Sequence, residues 1–184
     1  MSVYLPVSIG EALDKLTILD IKLSVNPDNQ NIKLEYDLLK SELQEYITNN
    51  LVLYENLKKV NKEIWDYMDI LRDLKNTSDQ EYNRICRLTI ELNDVRFRIK
   101  KKINNLTNSI IKEEKCYQVT CLEIIIKDEH DLNKITDFID NKSLYYDLTN
   151  VICRDGEQDL RDYYKLDPTI VFNQNIQNKT QIYL

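Results

Sequence analysis

Glycine and proline are scarce: the chain of 184 residues holds two glycines, three prolines and a single alanine, Ala12. Gly-rich phosphate loops, collagen-like repeats and turn-dense β-sandwiches all need far more of these residues to bend the backbone. Each is therefore excluded as the organising feature of the chain. No stretch approaches ~18 uninterrupted apolar residues, and residues 1–7 carry neither the basic nor the apolar segment of a signal peptide. The expectation is no membrane span and an intracellular, cytoplasmic location. Positive charge is also short, 25 Lys and Arg against 31 Asp and Glu, giving a net charge of −6. This argues against nucleic acid as a partner, since neutralising phosphates calls for a basic surplus. The lone histidine, His130, lies among Asp128, Glu129 and Asp131, which reads as an acid-rich helix start rather than a ligand set. Cys86, Cys116, Cys121 and Cys153 form no CxxC pair and are expected to be reduced thiols.

What remains is 42% apolar and 30% charged residues, enough for one core with long solvated faces. The pattern predicts an α+β chain, mainly α. A long antiparallel helical hairpin with an N-terminal helix packed on it occupies residues 1–117, and a small α/β unit occupies 118–184. Ser8 and Glu11 form a capping box before the first helix, with Ile9, Leu13, Leu16 and Leu23 as its apolar stripe. From 31 to 74 a heptad seam runs through Ile32, Tyr36, Leu39, Leu43, Tyr46, Asn50, Leu53, Leu57, Val60, Ile64, Tyr67, Leu71 and Leu74. It predicts one coiled-coil-like helix of about 65 Å, and Thr48, Asn49 and Asn50 mark the one place it could break. A second capping box, Ser78 with Glu81, starts the next helix, whose seam from Ile85 to Ile110 carries it to about Lys115.

A short turn makes these two helices antiparallel neighbours, with facing residues whose numbers sum to about 153. Asp69 then meets Arg84, and Asp66 meets Arg87. Beyond Tyr117 the apolar run 119–126 predicts a strand, Asp128 a cap, 132–139 a helix and 145–153 a strand. A helix at 156–164 and a closing hairpin of 169–173 with 180–184 complete the unit.

Two constellations have chemical potential. Glu42, Glu45, Glu63 and Asp66 resemble the ExxE and ExxD spacing of the all-α nucleoside triphosphate pyrophosphatases, whose carboxylates hold Mg2+. In an unbroken helix, however, the two pairs stand about 27 Å apart, so a solvated helix face is the favoured reading and no cofactor is expected. The second constellation comprises Asn61, Trp65, Asp69 and Arg72 on one helix and Asn93, Asp94, Arg96, Lys100 and Asn104 on the next. Asn61 and Asn93 fall level, which predicts either register-fixing buried hydrogen bonds or a polar cleft with Trp65 as its apolar wall. The basic run 96–102 is expected to meet Glu11, Asp14 and Asp20 of the first helix in preference to an anionic ligand.

These residues also carry a resemblance. Val7, Ser8, Ile9, Gly10 and Glu11, then Leu13, Asp14 and Lys15, Thr17 to Leu19, Ile21 and Lys22, and finally Glu113, Glu114, Lys115 and Tyr117 resemble the two ends of a family of uncharacterised helical proteins, a domain of unknown function. The Asn61, Trp65, Asp69, Arg72 and Asn93, Asp94, Arg96, Lys100, Asn104 sets resemble its middle. The likeness covers about residues 5–117. It implies a setting, since such domains often accompany glycosyltransferases, but no reaction. The resulting expectation is a non-catalytic interaction or assembly module, with a homodimer or protein partner. The alternatives are a Mg2+-dependent phosphohydrolase and a protein binding an anionic ligand such as a sugar nucleotide.

Overall fold

The computed structural model describes residues 4–73, 75–116, 119–127, 131–153 and 156–184. Leu74, Tyr117, Asp128 and His130, which the sequence reading used, lie outside the described residues. The chain divides into two compact units, Met1–Glu113 and Glu114–Leu184.

The first unit is a bundle of α1 (Ile9–Val25), α2 (Gln30–Asn49), α3 (Leu51–Arg72) and α4 (Asp79–Leu106). A helix start leaves its first backbone N–H groups without intrahelical partners, and the first three residues of α1 find theirs outside the helix ladder. Ile9 donates to Ser109 Oγ at 3.3 Å, Gly10 to Asn104 Oδ1 at 2.7 Å and Glu11 to Ser8 Oγ at 3.1 Å, after which Ala12 makes the first intrahelical bond, to the Ser8 carbonyl at 3.0 Å. Ser8 is thus the expected cap. The reciprocal half of the capping box is absent, because the Glu11 carboxylate turns to the Lys100 ammonium instead. At α4 the same happens: Ser78 caps Glu81, whose carboxylate is taken by Arg84. A cation offers a carboxylate a stronger bond than a neutral amide does.

The predicted single helix over 31–74 is corrected to two. Asn50, at φ −131° and ψ 36°, ends α2 and begins α3. Its side-chain Nδ2 donates to the Tyr46 carbonyl at 3.0 Å, a local bond by which Asn competes with helix propagation. The fourth helix also stops earlier than expected, at Leu106. Asn108 adopts a left-handed φ of 50°, while Ser109 N–H reaches the Asn104 carbonyl at 2.9 Å and Asn108 N–H the Asn105 carbonyl at 3.1 Å. This is a Schellman closure with Asn in the position that Gly usually fills, and it leaves Ile110 fully exposed.

Helix α1 packs on α2, α3 and α4, and α3 packs on α4. Contacts of Gly10 with Asn104, Glu11 with Lys100 and Asp14 with Arg96 show α1 and α4 running antiparallel. Leu13 and Leu16 of α1, Leu57 of α3, and Ile99 and Ile103 of α4 are wholly buried, each contributing about 1.5–3 kcal/mol. The predicted cross-hairpin ion pairs do not form. Asp69 pairs with Arg72, Asp66 with Lys62, and Arg84 with Glu81, each within its own helix, where the i,i+3 and i,i+4 spacing brings side chains together without an interhelical span.

The second unit holds β1 (Cys121–Ile125), α5 (Leu132–Ser143), β2 (Leu148–Ile152), α6 (Glu157–Tyr163), β3 (Ile170–Phe172) and β4 (Lys179–Tyr183). Asp131 caps α5. The four strands form one wholly parallel sheet in the order β3-β2-β1-β4. The expected closing hairpin is therefore wrong: β3 and β4 occupy opposite edges. Segment 173–178 lacks glycine, bends at Asn173 and Asn178 with φ of 52° and 53°, and is anchored by Asn150. The Asn150 amide accepts from Gln174 N–H at 3.0 Å and donates to the Gln174 carbonyl at 2.7 Å, doing for one residue what a neighbouring strand would do. Leu122, Ile124, Val151 and Phe172 pack with Ile135, Ile139, Leu160 and Tyr164 of the helices. Tyr164 Oη donates to Asp140 at 3.0 Å; burial and that carboxylate push its phenol above the ordinary value.

Side chains alternate across a strand, and Glu123 lies opposite this apolar cluster in the sequence alternation, with Asn150 and Gln181 its register partners. Its buried carboxylate accepts from Lys179 and Gln181, both at 2.5 Å, and from Asn150 at 3.1 Å. Burial raises the carboxyl group, but these three donors together outweigh it and hold Glu123 below its ordinary value of 4.5. A depressed native value means the stabilisation is fully present above 4.5 and disappears as pH falls through the lowered value. Glu123→Gln is expected to flatten the acid-side decline in denaturant midpoint below pH 4.5. A parent-like acid limb in the variant would show that another group controls it.

Candidate functional site

The polar residues of α1, α3 and α4 converge on one buried network. Asp14, 1% exposed, receives Arg96 through Nε on Oδ1 at 2.7 Å and Nη2 on Oδ2 at 2.5 Å. The two amide hydrogens of Asn61 go to Asp14 Oδ1 at 2.8 Å and Thr17 Oγ1 at 2.7 Å, and Thr17 returns its hydroxyl hydrogen to the Asp14 carbonyl. Its bond to Asp14 holds the Arg96 guanidinium above its ordinary value despite partial burial. One turn along, Lys100 Nζ lies 2.7 Å from Glu11 and 2.6 Å from Glu113. Burial lowers the Lys100 ammonium, yet the two carboxylates more than compensate and raise it overall. One turn further, Asn104 receives Gly10 N–H. A Cβ on Gly10 would stand 2.6 Å from the Lys100 carbonyl oxygen, so only glycine permits this approach.

Beside the network opens a groove of about 160 Å³ lined by Ile18, Asn61, Ile64, Trp65, Met68, Arg72 and Arg96. Its walls are apolar except for one amide and two guanidinium groups. A wider depression of about 500 Å³ is lined by α4 residues such as Asn83, Arg87 and Glu91. All of its described lining comes from a single helix face.

Of the predicted cleft residues, the groove therefore brings together Asn61, Trp65, Arg72 and Arg96. Asp69 sits at the exposed surface, bonded to Arg72 at 2.9 Å. Lys100 and Asn104 belong to the buried network. Of the two asparagines expected to lie level, Asn93 bonds the Thr89 carbonyl of its own helix at 2.9 Å, while Asn61 makes its buried bonds to α1. Asp94 is half-buried and has partners of its own. The basic run meets α1 through Glu11 and Asp14 as expected, while Asp20 pairs with Lys58.

The break at Asn50 does not gather Glu42, Glu45, Glu63 and Asp66. Glu42 and Glu45 are exposed on α2, Asp66 is bonded to Lys62, and no group of three or more His, Cys, Asp or Glu placed to hold a metal occurs among the described residues. Nor is any described helix long and apolar enough to cross a membrane.

Gly10, Thr17, Ser109 and Glu113 of the network, and Ile18 and Met68 of the groove, were not singled out as site residues from sequence. Their signal was the fourfold spacing of Arg96, Lys100 and Asn104 opposite Asp14, Glu11 and Gly10.

Fold and site together define a mainly helical α+β protein in which an N-terminal helix is clamped by partly buried ion pairs onto a helical hairpin, ahead of a small parallel sheet. A family model described as "Family of unknown function (DUF6165)" matches residues 3–127, and the chain belongs to that family. No curated protein and no solved structure matches the chain.

Proposed function

We propose that the protein is a non-catalytic interaction and assembly module serving glycan assembly, working as a homodimer. The observation that carries this reading is how the polar residues of the family-like pattern are spent. Asp14, Asn61, Arg96, Lys100, Asn104 and Glu113 bind one another or the α1 backbone. They hold a rigid framework instead of standing free for proton or group transfer. Leu34 and Leu38, one turn apart on α2, are 62% and 61% exposed and supply a face for a second copy. Light scattering is expected to give twice the chain mass, falling to monomer in the Leu34→Asp, Leu38→Asp variant; a monomeric parent removes the dimer. The family resemblance supports the glycan setting. Loss of the protein is expected to alter the glycan profile of its cell, and an unchanged profile removes that setting.

A second reading, a site for an anionic ligand, is favoured by the groove, which Arg72 and Arg96 line together with Trp65. The Mg2+-dependent phosphohydrolase gains no comparable support, with its four carboxylates on separate helix surfaces.

A further inference from the structure

We infer that the groove on α1, α3 and α4 takes a small ligand built from one flat apolar ring bearing an anionic group, and that Asp69 competes with that anion for Arg72. This rests on the ligand-binding reading above and goes beyond it by fixing the ligand's two parts and the exchange that admits it.

The volume sets the apolar part. An apolar cavity of ~150 Å³ accommodates a benzene-sized ring, and the groove measures about 160 Å³. Ile18, Ile64 and Met68 with the face or edge of Trp65 provide apolar contact, which suits a ring better than a hydroxyl-rich group needing a partner for every polar atom.

The two arginines differ in availability. Arg96 commits Nε and Nη2 to the buried Asp14 carboxylate, so its charge is already neutralised at close range. Arg72 has a weaker tie. Its bond to Asp69 is single, at 2.9 Å, with both side chains more than 60% exposed, and exposed pairs of this type contribute little to stability. An incoming phosphate or carboxylate can replace Asp69 at modest cost and offers the guanidinium a bidentate partner that the present geometry does not. Asp69 thus acts as a placeholder whose exchange leaves the framework intact, while Asp14 keeps Arg96 fixed as part of the wall.

Trp65 is the only tryptophan of the chain, so tryptophan emission reports on this groove directly. Phenyl phosphate, phenol and inorganic phosphate are titrated into the intact protein. Phenyl phosphate is expected to change the emission saturably, with phenol and phosphate each binding at least about tenfold more weakly, as loss of a charge-assisted bond or of the buried ring implies. Asp69→Asn is expected to tighten phenyl phosphate about two- to fivefold, and Arg72→Gln to weaken it about tenfold. Both positions are exposed, so neither variant threatens the fold. Asp66→Asn removes the same charge one turn earlier, where the partner is Lys62, and is expected to leave the affinity unchanged. Equal binding of phenol and phenyl phosphate overturns the anion exchange while leaving a ligand groove in place. Equal tightening by Asp66→Asn and Asp69→Asn, or no change with Asp69→Asn, overturns the placeholder role. No saturable response to any probe overturns this inference and the ligand-binding reading together, without touching the assembly reading, which stands on molecular mass.

Discussion

Gly10→Ala is expected to destabilise the helical unit by about 2–4 kcal/mol, although alanine is the better helix former. In an ordinary helix the exchange stabilises by about 1 kcal/mol. Here the new methyl group would sit 2.6 Å from the Lys100 carbonyl oxygen, 3.0 Å from Lys100 Cα and 2.9 Å from Asn104 Oδ1. Two of those three atoms are backbone, held inside α4, and cannot swing aside. Relief requires α1 to move off α4, which stretches the Gly10 bond to Asn104 and the Lys100 bonds to Glu11 and Glu113. Overpacking of ~1–3 kcal/mol plus weakened buried hydrogen bonds of ~1–3 kcal/mol exceed the gain in propensity. Equilibrium denaturation measures the sum. Adding Asn104→Ala, which removes the one flexible obstacle, is expected not to restore stability; a rescue would place the conflict at the amide instead of the backbone. Gly156 provides the contrast. It has open space around its Cβ position but a φ of 70°, so Gly156→Ala is expected to cost only about 1–2 kcal/mol from backbone strain.

The same close approach shows what the amino-acid pattern revealed and what it could not. Ser8, Ser78 and the apolar stripes fixed where α1 and α4 begin, because capping and periodicity are local and act through neighbours in the chain. Charge complementarity between Glu11, Asp14 and the basic run was equally legible, and the pairs with Lys100 and Arg96 exist. Failures arose where one residue chose between local and distant partners. The heptad continued in name through Asn50, but its amide bonds Tyr46 and splits the helix. Ile110 kept the seam's spacing, yet Asn108 had already closed α4. The acidic side chains Asp66 and Asp69 found cations on their own helix before any across the hairpin. In the second unit the strands were legible from β-branched and aromatic runs, whereas the edge taken by β4 lies in its parallel pairing with β1, a distant contact that no alternation encodes. Glu123 in the middle of an apolar strand was the visible hint that this sheet carries a buried polar cluster.

Replacing Asp14 with alanine is expected to cost about 3–4 kcal/mol, the largest effect of any single charge in the first unit. Breaking a buried pair by removing one partner costs ~3–5 kcal/mol because the remaining charge stays desolvated, and Asp14 is 2% exposed in its side chain. Arg96 retains 25% exposure, so water relieves part of the loss and the lower half of that range applies. Asn61 raises it again, since one of its two donated bonds ends on the same carboxylate. Arg96→Gln alone is expected to cost less, because water can reach the outer edge of the site and Asn61 still partners Asp14. The double variant should fall short of the sum of the two singles by about 1–3 kcal/mol, the coupling characteristic of residues in direct contact. Lys62→Ala, which breaks the exposed pair with Asp66, is expected to remain within about 1 kcal/mol. Strict additivity of the Asp14 and Arg96 variants would mean that this ion pair adds nothing of its own to the joint between the two helices. Non-additivity of the expected size shows the ion pair itself to be the clamp that positions Arg96 in the groove wall.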